Sequence, residues 1–164
     1  MSEEISLWKG SPSQWLNLGP FTAAFVLMAG IVVGGVFFPF AFAALILPFA
    51  YMIWKYLVVR MEIFELTNER LRITRGVINQ KIDEIELYRV KDSVMVRDWW
   101  MRVTGLASIQ LETSDRNMPK LVIPAIRGGA DMRELLRKQV ELQRDKKRVR
   151  ELDFDDAGED VLEA

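Results

Sequence analysis

Closely spaced carboxylates are the first residues in this chain that could do chemistry. Asp83, Glu84 and Glu86 lie within one short stretch. Paired carboxylates act as general acid and base where their surroundings separate their pKa values. These three belong to a predicted strand and its approach, and no pattern around them indicates a pocket. We therefore interpret them as surface charge.

Metal and cofactor chemistry finds little support. The stretch from Asp153 to Gly158 resembles the start of a calcium loop, but Ala157 and Ala164 stand at its fifth and twelfth positions, where oxygen ligands are needed. The chain has no Cys and no His, which removes the commonest nucleophile–base pairs and metal ligands. P-loop, dinucleotide and nucleophile-elbow motifs are missing as well. We predict a protein that is not an enzyme, with no catalytic residue, metal or cofactor.

An uncharged run of 45 residues separates Lys9 from Lys55. One bilayer span needs about 20 apolar residues, so the run has room for two, which we place at Trp15 to Val36 and at Phe40 to Val58. Leu18 to Val36 and Phe40 to Val58 each hold nine Leu, Ile, Val and Phe residues, which give an insertion free energy of about −3 to −5 kcal/mol per span. The sequence predicts a two-helix transmembrane hairpin over residues 15–60.

The turn-forming residues at the middle of the run and the residues that flank it both fit this hairpin. Gly34, Gly35 and Pro39 mark the point of reversal. Aromatic and basic side chains suited to the membrane interface flank the spans: Trp15, Trp54, Lys55, Tyr56 and Arg60. Basic residues crowd the region after the second span and the turn has none, so the positive-inside rule places both termini, including segment 1–14, in the cytoplasm.

Two other interpretations of the run stay open. Ala41-Phe42-Ala43 has the look of a signal-peptide cleavage site, although the apolar run before it is too long and a second span follows. A re-entrant hairpin that enters one leaflet is the other alternative, because the midpoint is rich in Gly and Pro.

Residues 61–150 predict a small antiparallel β domain closed by one helix. Apolar and polar residues alternate in seven short stretches: Ile63 to Leu66, Arg70 to Thr74, Ile78 to Ile82, Ile85 to Val90, Val94 to Val96, Ala107 to Thr113 and Leu121 to Ile123. Two-residue turns are expected at Asn68-Glu69 and Arg75-Gly76, and a longer polar loop at Ser114 to Pro119. This spacing favours a sandwich or barrel.

The end of the chain changes character twice. After Gly128-Gly129 a helical stripe of Met132, Leu135, Leu136 and Val140 predicts a helix that covers an open end of the strands. Residues 151–164 hold seven acidic residues and no basic one, and we expect them to form a disordered tail.

The order of these parts resembles the bacterial PH-like membrane protein family of the YdbS/YdbT type, formerly a domain of unknown function. The resemblance is carried by the stretch from Trp8 to Ser13, by Glu65 to Ile78, by Ile85 to Val94 and by Arg102 to Gly105. It implies a PH-like fold, in which a bent seven-stranded sheet is capped by a C-terminal helix, and a place in the bacterial inner membrane. It implies no settled activity.

Several residues could make contacts beyond the fold. Arg70, Arg72 and Arg75, with the cluster Lys146, Lys147 and Arg148, could attract anionic lipid, since each cation near such a surface contributes about 1 kcal/mol; ordinary solvated charge is the alternative. Trp99 and Trp100, adjacent in a predicted strand, point to opposite faces, so one could meet a partner or lipid. Gly30 and Gly34 have the small-xxx-small spacing of a helix contact, within the hairpin or between copies.

The sequence thus leads to one hypothesis and two alternatives. We predict a non-enzymatic interaction or assembly module, held against the bilayer by its hairpin, that binds another membrane protein or copies of itself. A sensor of anionic headgroups is the second hypothesis, and an enzyme at the interface the third. Neither nucleic acid nor a small-molecule substrate is expected as a partner.

Overall fold

The fold comprises a helical hairpin and two antiparallel sheets with a long final helix. A computed structural model describes residues 4–159, with side chains described for residues 4–148. The strands are β1 (Ser6–Gly10), β2 (Ile63–Thr67), β3 (Arg70–Arg75), β4 (Lys81–Glu86), β5 (Val90–Val96), β6 (Leu106–Thr113) and β7 (Lys120–Arg127). The helices are α1 (Leu18–Phe37), α2 (Ile46–Arg60), α3 (Trp99–Thr104) and α4 (Gly129–Glu159).

The hairpin has the two helices that the uncharged run predicted. Short 3₁₀ stretches precede them at Gln14–Asn17 and Pro39–Leu45. With these stretches, residues 14–37 and 39–60 form two segments long and apolar enough to cross a membrane, and very little of either segment is buried within the fold. The chain reverses at Phe38, whose extended backbone separates the two segments.

Gly35 makes the close contact of the hairpin turn. A Cβ built on Gly35 would lie 2.7 Å from the ring of Phe42, so the missing side chain lets the ring lie against α1. Built at Gly30 or Gly34, a Cβ would meet nothing within 4 Å. These two glycines therefore make no close contact inside the hairpin, and a role for them between copies stays a prediction.

Strand β1 was not predicted. It comes before the hairpin and pairs antiparallel with β2, which comes after it, with Trp8 opposite Leu66 and Gly10 opposite Phe64. Trp8 is partly buried against the main core, which ties the strand to the domain. The segment before the hairpin is thus part of the same sheet as the chain that follows it.

The seven strands form a four-stranded sheet in the order β1-β2-β3-β4 and a three-stranded sheet in the order β5-β6-β7. The predicted hairpin turn at Asn68-Glu69 and the loop from Ser114 to Pro119 are confirmed. The two-residue turn predicted at Arg75-Gly76 is wrong in length, because the connection between β3 and β4 runs from Gly76 to Gln80. The two strands predicted at Ile78 to Ile82 and at Ile85 to Val90 are one strand, β4, followed by a 3₁₀ turn at Leu87–Arg89.

The core lies between the two sheets and α4. Met132, Leu136 and Val140 are buried in one cluster with apolar residues of both sheets, as the stripe predicted. Leu135 belongs to the predicted stripe but is 37% exposed. The backbone of α4 is helical to Glu159, whereas a disordered tail was expected from Glu151 onward. Side chains beyond residue 148 and all of residues 160–164 lie outside the described residues. The disordered tail therefore stays a prediction.

Candidate functional site

Polar side chains join the base of the hairpin to the domain. Asn17 is buried, and its Nδ2 donates to Gln14 Oε1 at 2.7 Å and to the Lys55 carbonyl at 3.1 Å. The Nε2 of Gln14 donates to the Tyr56 carbonyl at 3.2 Å. The backbone N–H of Ser13 donates to the Ala125 carbonyl of β7 at 3.0 Å. These bonds fix the start of α1 against the end of α2 and against the second sheet.

A cleft of about 560 Å³ opens at this junction. Three elements contribute its cations: Lys9 from β1, Arg60 from the end of α2 and Arg127 from the end of β7. Aromatic residues contribute to the lining, namely Trp8, Trp15 and Tyr56, together with residues 10–14 and Ile126. No acidic residue is among the described residues that line the cleft. Sequence reasoning missed it, because its cations come from distant parts of the chain.

The cations of the cleft have no partner within the fold. Among residues 4–148, the side chains of Lys9, Arg60 and Arg127 take part in no salt bridge, hydrogen bond or cation–π contact. Unpaired cations that share a cleft repel one another and favour an anion between them. The junction therefore has the electrostatics of an anion site.

The arginines of β3, for which lipid contact and ordinary solvated charge were both open, form ion pairs with carboxylates. Arg70 lies 2.6 Å from Glu84 and 3.2 Å from Glu4, and Arg72 lies 2.9 Å from both carboxylates. Arg75 is 2.6 Å from Glu62. This pairing favours the solvated-charge interpretation of these arginines over lipid recognition.

The same pairing affects the titration of Glu84. The hydrogen bond from Arg70 lowers the pKa of the Glu84 carboxyl, with Arg72 acting in the same direction, and partial burial opposes the shift. A lowered pKa keeps Glu84 ionised in the folded state. Of the three carboxylates singled out in the sequence, Glu84 is thus tied into an ion-pair network, which fits the surface-charge interpretation.

The second predicted basic cluster lies on the solvated part of α4. The Nζ of Lys147 lies 3.8 Å from the centre of the Tyr88 ring, and Lys146 and Arg148 are exposed. Among the described residues, no contact links this cluster to the cleft cations or to the arginines of β3.

The two tryptophans lie in a helix, so the predicted strand is wrong. Trp99 begins α3 and is 79% exposed, while Val103, one turn later on the same face, is 84% exposed. Trp100 packs against a small cluster of Met101, Leu106 and Ala125. The prediction of one packed and one exposed ring is right, but Trp100 does not pack under α4.

The position of α3 places its exposed face near the hairpin. Leu16, at the base of α1, packs against the same small cluster as Trp100. The α3 helix therefore lies beside the base of the hairpin, and Trp99 and Val103 face outward at that level. Two signals in the sequence could have revealed the helix: Asp98 stands at its N-cap position and Gly105 at its left-handed C-cap.

The sequence model of the bacterial PH domain matches residues 18–143, most of the chain. The chain belongs to the bacterial PH domain family. No curated protein and no solved structure matches it. Domains of this kind generally mediate protein or lipid interactions.

The bacterial PH domain of this chain has no site with recognisable catalytic equipment in the part that the structure describes. Within those residues no group of three or more acidic side chains is arranged to hold a metal ion. The two features that stand out are the cationic cleft and the exposed face of α3. Both lie where the hairpin meets the bacterial PH domain.

Proposed function

We propose that this chain is a non-enzymatic, membrane-anchored interaction and assembly module. Its PH-like domain is held at the cytoplasmic face of the bacterial inner membrane by the α1–α2 hairpin. Exposed apolar side chains support the anchor: Phe40 is 94% exposed, Phe37 76% and Phe38 73%. Water would oppose so large an apolar surface, whereas lipid accepts it.

One observation carries the orientation. Because β1 precedes the hairpin, β2 follows it and the two strands pair, both ends of the hairpin must lie on the same side of the bilayer. A hairpin that begins and ends on one side crosses the bilayer twice or not at all. Lys9, Lys55 and Arg60 lie at these ends and the turn has no charge, so the positive-inside rule favours the cytoplasm for the domain. Trp15, Trp54 and Tyr56 are about half exposed near the same ends, as suits interfacial anchors.

The natural absence of cysteine makes this topology directly testable. Phe38→Cys places a thiol at the turn, and Asn117→Cys places the control thiol in the exposed β6–β7 loop. In spheroplasts treated with a membrane-impermeant maleimide, we expect Phe38→Cys to be labelled before lysis and Asn117→Cys only afterwards. A Phe38→Cys thiol that reacts at neither stage would contradict two full spans and support a re-entrant hairpin. Extraction of the protein by alkaline carbonate would contradict the anchor altogether.

The exposed face of α3 is the surface we assign to the protein partner. Trp99 and Val103 present an apolar patch beside the hairpin base, so a partner must reach it at the membrane surface. Tryptophan is enriched among residues that dominate binding energy. The partner is a second copy or another membrane protein.

Photocrosslinking in living cells tests this surface. A benzoyl-phenylalanine in place of Trp99 should give a discrete protein adduct, which Val103→Ser should weaken at least fivefold. The matched control is the same probe at Val122, an exposed position on β7. Coexpression of a differently tagged copy shows whether the adduct is a homodimer. Equal adducts from the two probe positions would contradict the assignment.

A further inference from the structure

We propose that the cleft at the base of the hairpin binds a phosphate group, and that an anionic phospholipid headgroup supplies it. This proposal rests on the membrane anchor proposed above. It assigns a binding site to residues that the sequence indicated only in part, as interfacial anchors. The argument uses the charges, the hydrogen-bonding groups and the position of the cleft.

The charges of the cleft have no counter-ion among the residues that the structure describes. Lys9, Arg60 and Arg127 come from three separate elements and line one cavity without an acidic neighbour in its lining. The arginines of β3 differ in this respect, since Arg70, Arg72 and Arg75 each lie within 3.2 Å of a carboxylate. What distinguishes the cleft is that three exposed cations without a carboxylate partner among the described residues line one cavity. Guanidinium groups bind phosphate oxygens by paired, charge-assisted hydrogen bonds.

The size and polar groups of the cleft suit a headgroup. Its volume of about 560 Å³ lies within the range of small-molecule sites. Ser11 is among the lining residues, and its hydroxyl makes no hydrogen bond to another residue among those described, so it is free to donate to a phosphate oxygen. Gln14, by contrast, is already engaged with Asn17 and the Tyr56 carbonyl. The cleft therefore offers three cations and one free hydroxyl to a single ligand.

The position of the cleft favours a lipid as the source of the phosphate. Arg60 is the last residue of α2, and Trp15 and Tyr56 lie at the ends of the two apolar segments. In a membrane-spanning hairpin these residues stand at the depth of the headgroups. A phospholipid can place its phosphate in the cleft while its acyl chains lie along the exposed apolar surface of α1 and α2. A soluble phosphate ester has no such second contact.

Native mass spectrometry of the full chain in mild detergent tests the proposal. Purified, delipidated protein is titrated with phosphatidylglycerol, with phosphatidylcholine and with glycerol phosphate. We expect one phosphatidylglycerol to bind at least tenfold more tightly than phosphatidylcholine, and glycerol phosphate to bind much more weakly than either. The triple variant Lys9→Gln, Arg60→Gln, Arg127→Gln should lose this preference.

A matched variant controls for overall charge. Lys91→Gln, Arg116→Gln, Lys138→Gln removes the same number of cations from exposed positions outside the cleft, and should keep the preference. The single variant Arg127→Gln removes a side chain with no partner among the described residues, so it should weaken binding without lowering the melting temperature. Equal affinity of the wild type for both lipids, or equal loss in both triple variants, would overturn the proposal. Binding of glycerol phosphate as tight as that of phosphatidylglycerol would overturn the lipid assignment.

The maleimide experiment separates this proposal from the anchor. Absence of a lipid preference in the wild type, together with the expected labelling of Phe38→Cys, would contradict the cleft site alone. A hairpin turn that never reaches the far side, or a protein extracted by carbonate, would contradict the proposed anchor whatever the lipid titration shows.

Discussion

Replacement of Leu136 by aspartate is expected to unfold the PH-like domain. Leu136 lies in the middle of the α4 stripe, is fully buried and packs in the cluster that also holds Met132 and Val140. An aspartate there would leave an unpaired carboxylate in an apolar environment and remove the packing of the leucine. We expect a loss of about 4 kcal/mol or more. That is comparable to the whole stability of a typical domain, about 5–15 kcal/mol.

The neighbouring leucine provides the matched control. Leu135 is 37% exposed, lies in the same turn of α4 and suffers the same change in helix propensity when it is replaced by aspartate. We expect Leu135→Asp to cost about 1 kcal/mol or less. Near-UV circular dichroism and thermal melts of the two variants in mild detergent distinguish them. Similar melting temperatures for Leu135→Asp and Leu136→Asp would show that α4 does not dock through the face that the structure gives it.

The features predicted correctly are those that depend on residues close together in the sequence. The hairpin follows from an uncharged run, and the face of α4 follows from apolar residues at helical spacing. The β2–β3 turn at Asn68-Glu69 follows from alternation on both sides of a turn sequence. Even there the pattern stops short of individual contacts: it placed Leu135 and Leu136 on one stripe, but only Leu136 reaches the core.

The features that were missed depend on contacts between distant parts of the chain. Strand β1 has only five residues, and its pairing with β2 reaches across the whole hairpin. The carboxylate partners of Arg72 come from before the hairpin, at Glu4, and from the next strand, at Glu84. No local pattern could show that Arg72 is neutralised while Arg127 is not. The basic residues named from the sequence and the basic residues of the cleft therefore differ.

The strand topology restricts how the hairpin can move relative to the domain. A hairpin inserted between two paired strands cannot tilt or rotate freely, because β1 and β2 hold both of its ends in one sheet. The bonds of Asn17 and Gln14 to α2 carbonyls add a second fixed point. The cleft and the exposed face of α3 are thus held at a constant height relative to the hairpin. This arrangement suits a module that presents one surface to lipid and another to a partner.

The second large effect is expected at the β3–β4 connection. Gly76 has a φ of +113°, which side-chain-bearing residues rarely adopt, and a Cβ built on it would lie 1.9 Å from the backbone oxygen of Asn79. Gly76→Ala must therefore both strain the backbone and push the turn open. We expect a cost of about 3 kcal/mol or more in the free energy of unfolding. The longer turn that Gly76 allows also sets the register in which Arg72 faces Glu84, so the ion pairs should weaken as well.

Gly105 offers a control that isolates the steric part of this effect. It too has a positive φ, of +69°, but a Cβ built there meets nothing within 4 Å. Gly105→Ala should cost only the left-handed backbone penalty, about 1–2 kcal/mol. Chemical denaturation in mild detergent, followed by tryptophan fluorescence, compares the two variants. Equal losses of unfolding free energy in the two variants would mean that the Gly76 turn relaxes around the added side chain. The positive φ alone, and not the contact with Asn79, would then be the reason for a glycine at position 76.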